Sequence, residues 1–491
     1  MRWKPLLISS TLSLSLLLGP AGAVSAESDQ HADTLLELYQ LLVGSHYTHP
    51  DADKVLQGAI KGMLDVVDDP FTSYMTPEEY AAFTRALDNQ YAGIGTALQA
   101  AKSGEVLITE VYAGSPAEKA GLQAGDRIVA VDGVAATGKT AAEVASMARG
   151  KAGTETMVMI ARGSEAPRQV KVVREAISLP TVTSKDLGNG VGYLRILTFG
   201  GNTSKEFFDA YGQLEATSPN GIVLDLRGNG GGSVLSALEI ADHFLTEGTL
   251  LIMHDEEGGQ QVIGADELGT EEMPLAVLVD QQTASASEML AGALQVNARA
   301  ALIGAQTFGK GTMQEPVTLP NGGVLKVSVD AWELGDGTSI QKIGLTPDIR
   351  LTSPSVMVNA GIQHLLPNRV QTLTLQKQGG VGNLNGIQLL DVPKLLTERG
   401  RDYLPLRYVA EAFGSEVNWV AKTNSVEFKL ESQAVRVVLN SGNVYLDKRD
   451  TGLKGQVLVR NGVSYLSVDA LKKVLNGGVS ATSAAITITA D

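Results

Sequence analysis

Cysteine is absent from all 491 residues, which excludes disulfides, thiolate nucleophiles and cysteine-bearing zinc sites together. Histidine is scarce: the six are scattered, none follows His364, and no H-E-x-x-H pair occurs, so metal chemistry has little support and no metal is expected. Basic residues are outnumbered, 39 against 54 acidic, and so acidic a chain is repelled by phosphate backbones. Nucleic acid is therefore not an expected partner. Long apolar runs are missing except near the start, where Leu6 to Leu18 falls short of the roughly 20 residues that a membrane-spanning helix needs.

That short run belongs to a different pattern. Arg2 and Lys4 form a charged start, and Val24-Ser25-Ala26 is a small-residue cleavage site, so residues 1–26 read as a secretory signal removed on export rather than a retained anchor. Without the two leader cations the balance is 37 basic against 54 acidic residues, about −17. The remainder is too long for one core. With 44% hydrophobic and 19% charged residues it has the composition of an ordinary globular protein of several domains.

Between residues 27 and 88 the apolar positions recur at helical spacing (Leu35, Leu38, Leu42; Leu56, Ile60, Met63), and Thr76-Pro77-Glu78-Glu79 carries the signals of a helix start. This region reads as a helical cap or dimerisation arm. From 89 to 176 short β-branched runs such as Val106–Val111 and Arg127–Val131 are separated by turns, the pattern of a small β-domain. From 177 to 365 strands alternate with helices: Ile222–Leu226, a Gly228–Gly232 loop, a helix over Ser233–Phe244, the strand Leu275–Val279 and a helix from about Ser285. That alternation predicts an α/β core with parallel pairing and a site at the strand ends. Residues 366–385, Gly- and Asn-rich from Gln376 to Asn385, read as a linker. Beyond it, 386–491 carry a weak repeat in which Tyr403-Leu404-Pro405-Leu406 is echoed by Tyr465-Leu466-Ser467-Val468, suggesting a small α+β accessory domain.

Two segments carry chemistry. Thr283-Ala284-Ser285-Ala286-Ser287-Glu288 is followed by Phe308-Gly309-Lys310-Gly311-Thr312-Met313-Gln314, with no histidine in either. A serine needs a proton acceptor to become a nucleophile, and a lysine desolvated among apolar groups, here with Phe308 as cover, can serve as one. Ser285 to Glu288 also fits the S-x-x-E capping box that opens many helices. A helix start offers free amides as well, so the N–H of Ala286 is placed to stabilise an oxyanion at Ser285. Gly304 to Lys310 matches most of a phosphate loop, but Gly311 stands where that loop requires Ser or Thr.

Taken jointly with Asp225-Leu226-Arg227-Gly228-Asn229, these segments make the chain resemble the carboxy-terminal processing (tail-specific) serine peptidases, which carry a PDZ domain. The likeness runs over roughly residues 30–352. It implies a multidomain α/β protein with a ClpP/crotonase-like peptidase core, a PDZ β-domain inserted before it and an N-terminal helical arm. By the same resemblance Ser285 is the nucleophile, Lys310 the general base and Gln314 the residue orienting it, with oxyanion amides from Ala286 and from the glycine run at Gly231. Tyr91-Ala92-Gly93-Ile94-Gly95 is similar to the PDZ carboxylate loop, which assigns Gly93, Ile94 and Gly95 to a substrate's C-terminus, and Arg149 is a candidate contact between PDZ domain and core. Trp332-Glu333-Leu334-Gly335-Asp336 departs from the pattern by lacking a proline. The C-terminal domain resembles the copper amine oxidase N-terminal-like repeats; with no His or Cys in it, no copper is expected.

The expectation is an exported serine endopeptidase without cofactor, secreted or associated with the cell envelope, acting on proteins with free apolar C-termini. It would pair as a homodimer through the N-terminal helices and meet a cell-wall or envelope partner through the C-terminal domain. The rival reading is a catalytically silent PDZ-bearing scaffold of the envelope, which has no reason to keep Ser285, Lys310 and Gln314 together.

Overall fold

The computed structural model describes residues 26–490 apart from 102–103, 164, 189, 256, 267–271, 431–432 and 476–477. Residues 1–25, most of the expected signal segment, lie outside the described residues. The chain forms two compact units, one made of residues up to 75 with 316–327, the other of 76–315 with 328 onward. Among the described residues no helix is long and apolar enough to cross a membrane.

The smaller unit holds α1 (Ala26–Ser45) and α2 (Ala52–Val67), the latter capped by Asp51, whose carboxylate accepts the Lys54 N–H. Their apolar positions face outward: Leu36, Leu41 and Val66 are all more than half exposed, and α2 buries no residue. The short strand Ser73–Met75 pairs antiparallel with residues 324–326 in the same unit.

In the larger unit α3 (Pro77–Leu87) starts where the sequence signals placed it. Thr76 and Glu79 form a reciprocal capping box, Thr76 N–H to Glu79 at 2.8 Å and Glu79 N–H to Thr76 at 3.2 Å. The strand β1 (Gln90–Gly93) leads into a small antiparallel sheet. There β2 (Thr96–Ala100), β3 (Val106–Val111), β4 (Arg127–Val131), β5 (Glu155–Ala161) and β6 (Arg168–Val173) lie in that order, beside α4 (Ala141–Ala148). Val106, Ile108, Val144, Val158 and Ile160 fill its core. Arg174, only 7% exposed, closes α4 by donating to the Ala148 carbonyl and to Asp132. The chain leaves through β7 (Glu175–Ser178), which pairs antiparallel with β1 as a two-stranded ribbon.

The central sheet runs β8 (Val182–Asp186), β9 (Gly192–Ile196), β10 (Ile222–Asp225), β11 (Leu275–Val279), β12 (Ala300–Gly304) and β13 (Ile349–Arg350). Its first pair is antiparallel and the rest are parallel. Parallel strands are buried on both faces, which is why β11 reads Leu-Ala-Val-Leu-Val without alternation. One face carries α5 (Thr203–Glu215), α6 (Val234–His243) and α7 (Ala286–Val296); the other carries α8 (Met357–Leu365). All of Ala286 to Leu294 is buried, and the small residues allow it: a Cβ on Gly292 would lie 2.4 Å from Leu334.

Residues 366–385, expected as a linker, are a correction. They form β14 (Gln371–Gln376) and β15 (Gly380–Leu384), and β14 is the middle strand of a five-stranded sheet that also holds β18 (Ala485–Ala490). The physical reason is the period-two pattern Gln-Thr-Leu-Thr-Leu-Gln, which places Leu373 and Leu375 at zero exposure, while Gly379 and Gly380 only make the turn at positive φ. The sequence repeat is physically paired. β16 (Arg401–Pro405) enters α9 (Leu406–Ala412) as β17 (Val463–Ser467) enters α10 (Val468–Val474), and the two strands lie antiparallel, Leu404 opposite Leu466.

A fully buried carboxylate joins α9 to the end of the central sheet: Glu411 accepts the Thr352 hydroxyl at 2.9 Å and the Ser353 N–H at 2.8 Å. Replacing Glu411 by Ala strands both donors, at a cost of about 3 kcal/mol. The expected result is a thermal midpoint several degrees lower in a melting curve, with Arg407→Ala, whose half-exposed guanidinium reaches the same acid only at 3.4 Å, much closer to wild type.

Candidate active site

Three loops meet at the carboxyl ends of β10, β11 and β12, where open α/β sheets place their sites. The first follows β10. Asp225 is fully buried between Tyr193, whose hydroxyl donates to it at 2.7 Å, and Arg227, which donates at 2.8 and 2.6 Å while its other nitrogen donates to the Pro354 carbonyl. Burial, then the Asp225 charge, pushes the Tyr193 phenol far above its ordinary value. The glycine run follows. Gly232, at φ 138°, passes so near Phe199 that a Cβ would lie 2.1 Å from its carbonyl oxygen.

Asn229, with no exposure, clamps this loop to the second. Its side chain donates to the Ile196 carbonyl at 3.0 Å and accepts the Gly231 N–H at 2.9 Å, while its own carbonyl accepts the Ala284 N–H and the Ser287 hydroxyl, each at 3.0 Å. Thr283, equally buried, donates to the Leu226 carbonyl at 3.0 Å. Ser285 therefore arrives on a segment held from below by the glycine loop. Its backbone sits at φ 57°, ψ −122°, a region that a residue with a Cβ occupies at a cost of about 1–3 kcal/mol. Strain of that size persists only where the surroundings impose it, and here it lifts the serine at the N-terminus of α7.

Glu288 supplies the third connection. Its buried carboxylate accepts the Ser285 N–H at 2.9 Å, the Thr307 hydroxyl at 2.6 Å, the Gly309 N–H at 2.7 Å and the Lys310 N–H at 2.9 Å. The Phe308 N–H adds a bond to the Thr283 carbonyl at 3.0 Å. The two segments singled out in the sequence, 25 residues apart at Ser285 and Lys310, are thus brought together through backbone amides. The Lys310 amine donates to Gln314 Oε1, and the Gln314 amide is held in turn by Thr312 Oγ1 at 3.2 Å and Ser328 Oγ at 3.3 Å. Phe308, expected as apolar cover for the amine, is instead 54% exposed.

Gly231 lies directly under the serine: a Cβ there would fall 2.7 Å from the Ala284 oxygen and 2.9 Å from both Ala286 N and Ser285 Cβ, at φ 96°. Ala286 opens α7 beside it. Glu288, Asn229 and Thr307 are the residues that sequence reasoning did not assign to the site. The capping-box spacing had singled out Glu288, but as a helix signal only. Among the described residues no group of three or more metal-ligating side chains is assembled.

Away from this cluster, Gly93, Ile94 and Gly95 line one small cavity of about 40 Å³ with Tyr91, Thr96, Ala145, Ala148 and Arg149. Gly95, at φ 83°, has no room for a side chain, since its Cβ would lie 2.3 Å from that of Ser115. Arg149, expected as a contact toward the core, stacks on the Tyr91 ring of the ribbon, 5.4 Å from its centroid.

Known proteins match in the same places. A model of peptidase family S41 matches residues 190–351, a PDZ domain model 107–162, a model of the activating protease CtpB N-terminal domain 20–79, and a copper amine oxidase N-terminal domain model 383–490. The carboxy-terminal processing protease CtpA of Bacillus subtilis is 34% identical over 353 residues, covering 71% of this chain and 75% of its own. CtpB of the same organism is 33% identical over 357 residues, 72% and 74% of the two chains. The carboxyl-terminal-processing protease of Synechocystis is 37% identical over 304 residues, 61% of this chain and 71% of its own.

Gly231→Ala tests the close approach. Labelling of Ser285 by a serine-directed fluorophosphonate should fall at least tenfold while the circular dichroism spectrum stays that of the wild type. Undiminished labelling would show that the loop tolerates a Cβ beneath the serine.

Proposed function

For a chain that belongs to peptidase family S41, and is a serine-type endopeptidase of the carboxy-terminal processing group with a PDZ domain, we propose a Ser-Lys mechanism fed by tail capture. Membership sets aside the silent scaffold. The observation that carries the proposal is the Glu288 carboxylate, which bonds the Ser285 amide and the Gly309 and Lys310 amides at once.

Ser285 Oγ attacks the scissile carbonyl as the neutral Lys310 amine takes its proton. The tetrahedral oxyanion is met by the Ala286 N–H and by the Gly231 N–H, which exchanges its bond to Asn229 Oδ1 for the developing charge. The C–N bond breaks as the lysine ammonium protonates the leaving amine, giving an ester on Ser285. A water that loses its proton to Lys310 then attacks the ester, and the serine leaves with that proton restored. Gln314, held by Thr312 and Ser328, keeps the amine in line.

The substrate enters by its end. Gly93, Ile94 and Gly95 bind the free carboxylate of a protein tail, and the preceding residues add as a strand beside β2. The small cavity there, bounded by Ile94, Ala145 and Ala148, favours an apolar last residue. The same reading takes the core as ClpP/crotonase-like, residues 1–26 as a cleaved export signal and the C-terminal domain as a site for an envelope partner. It takes the exposed leucines of α1 and α2 as covered by a second copy of the chain, a face too apolar to stand in water alone.

Two measurements test it. With an unfolded substrate bearing an apolar C-terminus, Ser285→Ala and Lys310→Ala should each lose roughly a thousandfold or more in kcat, and amidating the substrate's tail should raise KM. Cleavage by both variants at the wild-type rate would sink the dyad, and indifference to amidation would sink tail capture. The sign of the pH dependence also follows: the base is active only when neutral, so kcat rises with pH as Lys310 deprotonates. A rate that is flat from mildly acid to alkaline pH contradicts a lysine base.

A further inference from the structure

A side chain is aimed by the two peptide planes that flank its Cα, because fixing both fixes φ, ψ and the Cα–Cβ direction. At Lys310 the preceding plane is anchored at both ends: its N–H donates to Glu288 and the Gly309 carbonyl accepts the Lys342 N–H at 2.8 Å. The following plane is anchored by a side chain. The Gly311 N–H donates to Gln341 Oε1 at 2.6 Å, and a Cβ on Gly311 would lie 3.0 Å from Gln341 Cβ, so this glycine is seated against the residue that binds it. The loop carrying Gln341 is itself fixed. Lys342 sits at φ 62°, the Leu345 N–H donates to Thr307 Oγ1 at 2.6 Å, and the Gln306 amide donates to the Ile343 carbonyl at 2.8 Å.

We propose that Gln341 is a positioning residue of the Ser-Lys site: its side-chain carbonyl fixes the 310–311 peptide and thereby the direction of Lys310, and its neutrality leaves the amine free to lose its proton. This rests on the reading of Lys310 as the general base. The identity of the acceptor matters because the elements next to this loop already carry charged residues. Glu288 lies against the lysine backbone from α7, Glu315 is on the strand Thr312–Thr318, Asp330 and Glu333 are on the strand Val324–Glu333, and Lys342 follows Gln341 in the loop. A further carboxylate at position 341 would make the same bond to Gly311 but favour the ammonium form of its neighbour. A glutamine gives the bond without the charge. The role acts through Gly311, so Gln341 need not touch the substrate.

The test uses the full-length enzyme with the unfolded tail-bearing substrate, comparing Gln341→Met, Gln341→Glu and Lys310→Ala over the pH range, with thermal midpoints as the folding control. Gln341→Met keeps the length and removes the acceptor; its kcat should fall roughly tenfold or more with KM within about twofold. Gln341→Glu restores the acceptor; its plateau kcat should recover to within about threefold of wild type, while the midpoint of the rise in kcat moves to higher pH by about half a unit or more. A purely structural role would lower the melting temperature and leave that midpoint in place. Wild-type kcat in Gln341→Met, or a Gln341→Glu profile superimposed on the wild type, overturns the positioning role while Lys310→Ala remains dead. Full activity in Lys310→Ala overturns instead the base assignment beneath it.

Discussion

Everything at the site hangs on one buried carboxylate. Glu288 has no exposure, and an ion taken out of water is tolerated only where hydrogen bonds replace its hydration. Here two oxygens accept four donors, three of them backbone amides, and the acid lies in the first turn of α7, where the helix dipole favours negative charge. Those donors come from two segments that are remote in sequence. The energetic demand of one charge therefore forces the serine's strand end and the lysine's loop into a fixed relation. A neutral residue in its place would have no comparable need of all four donors, and the loops would be held only by their own turns.

Around that centre the loops are stacked so that each is held by the next through main-chain groups. Asn229 grips the Ser285 segment from the glycine loop, Glu288 grips the Lys310 loop from α7, and the 340–345 loop bonds Gly309 and Gly311 on either side of Lys310. The backbone around Ser285 and Lys310 is thus tied largely by side chains other than their own. The positive φ at Ser285 is maintained in the same way: Asn229 holds the residue before it and Glu288 holds its own amide.

The local parts of this arrangement were legible in the sequence. β11, as five unbroken apolar residues, the Thr76 capping box and the repeats around Leu404 and Leu466 all follow from short-range patterns. What was not legible depends on partners far along the chain. Glu288 looks like an ordinary helix cap until Thr307, Gly309 and Lys310 are beside it. Residues 371–385 look like a linker because glycine and asparagine punctuate them, and only the C-terminal strand that β14 pairs with, over a hundred residues later, makes Leu373 and Leu375 a core. The exposure of Phe308 was hidden for the same reason, since it is set by neighbours that no local spacing reveals.

The ribbon of β1 and β7 shows how the PDZ domain is connected to the central sheet. Tyr91, against which Arg149 stacks and beside which Gly93 packs, pairs with Ile177 across the ribbon. The strand that contains Ile177 continues within a few residues into β8, the antiparallel edge of the central sheet, and the junction is tied by the Asn89 side chain to the Pro180 carbonyl and by the Leu179 N–H to the Asn89 carbonyl. The wall of the small cavity at Gly93 to Gly95 and the edge of the central sheet are thus one continuous piece of hydrogen-bonded backbone. Two covalent crossings, both in the ribbon, join the small domain to the core, so its cavity is built partly from the ribbon, through Tyr91 and Gly93, rather than from the domain alone.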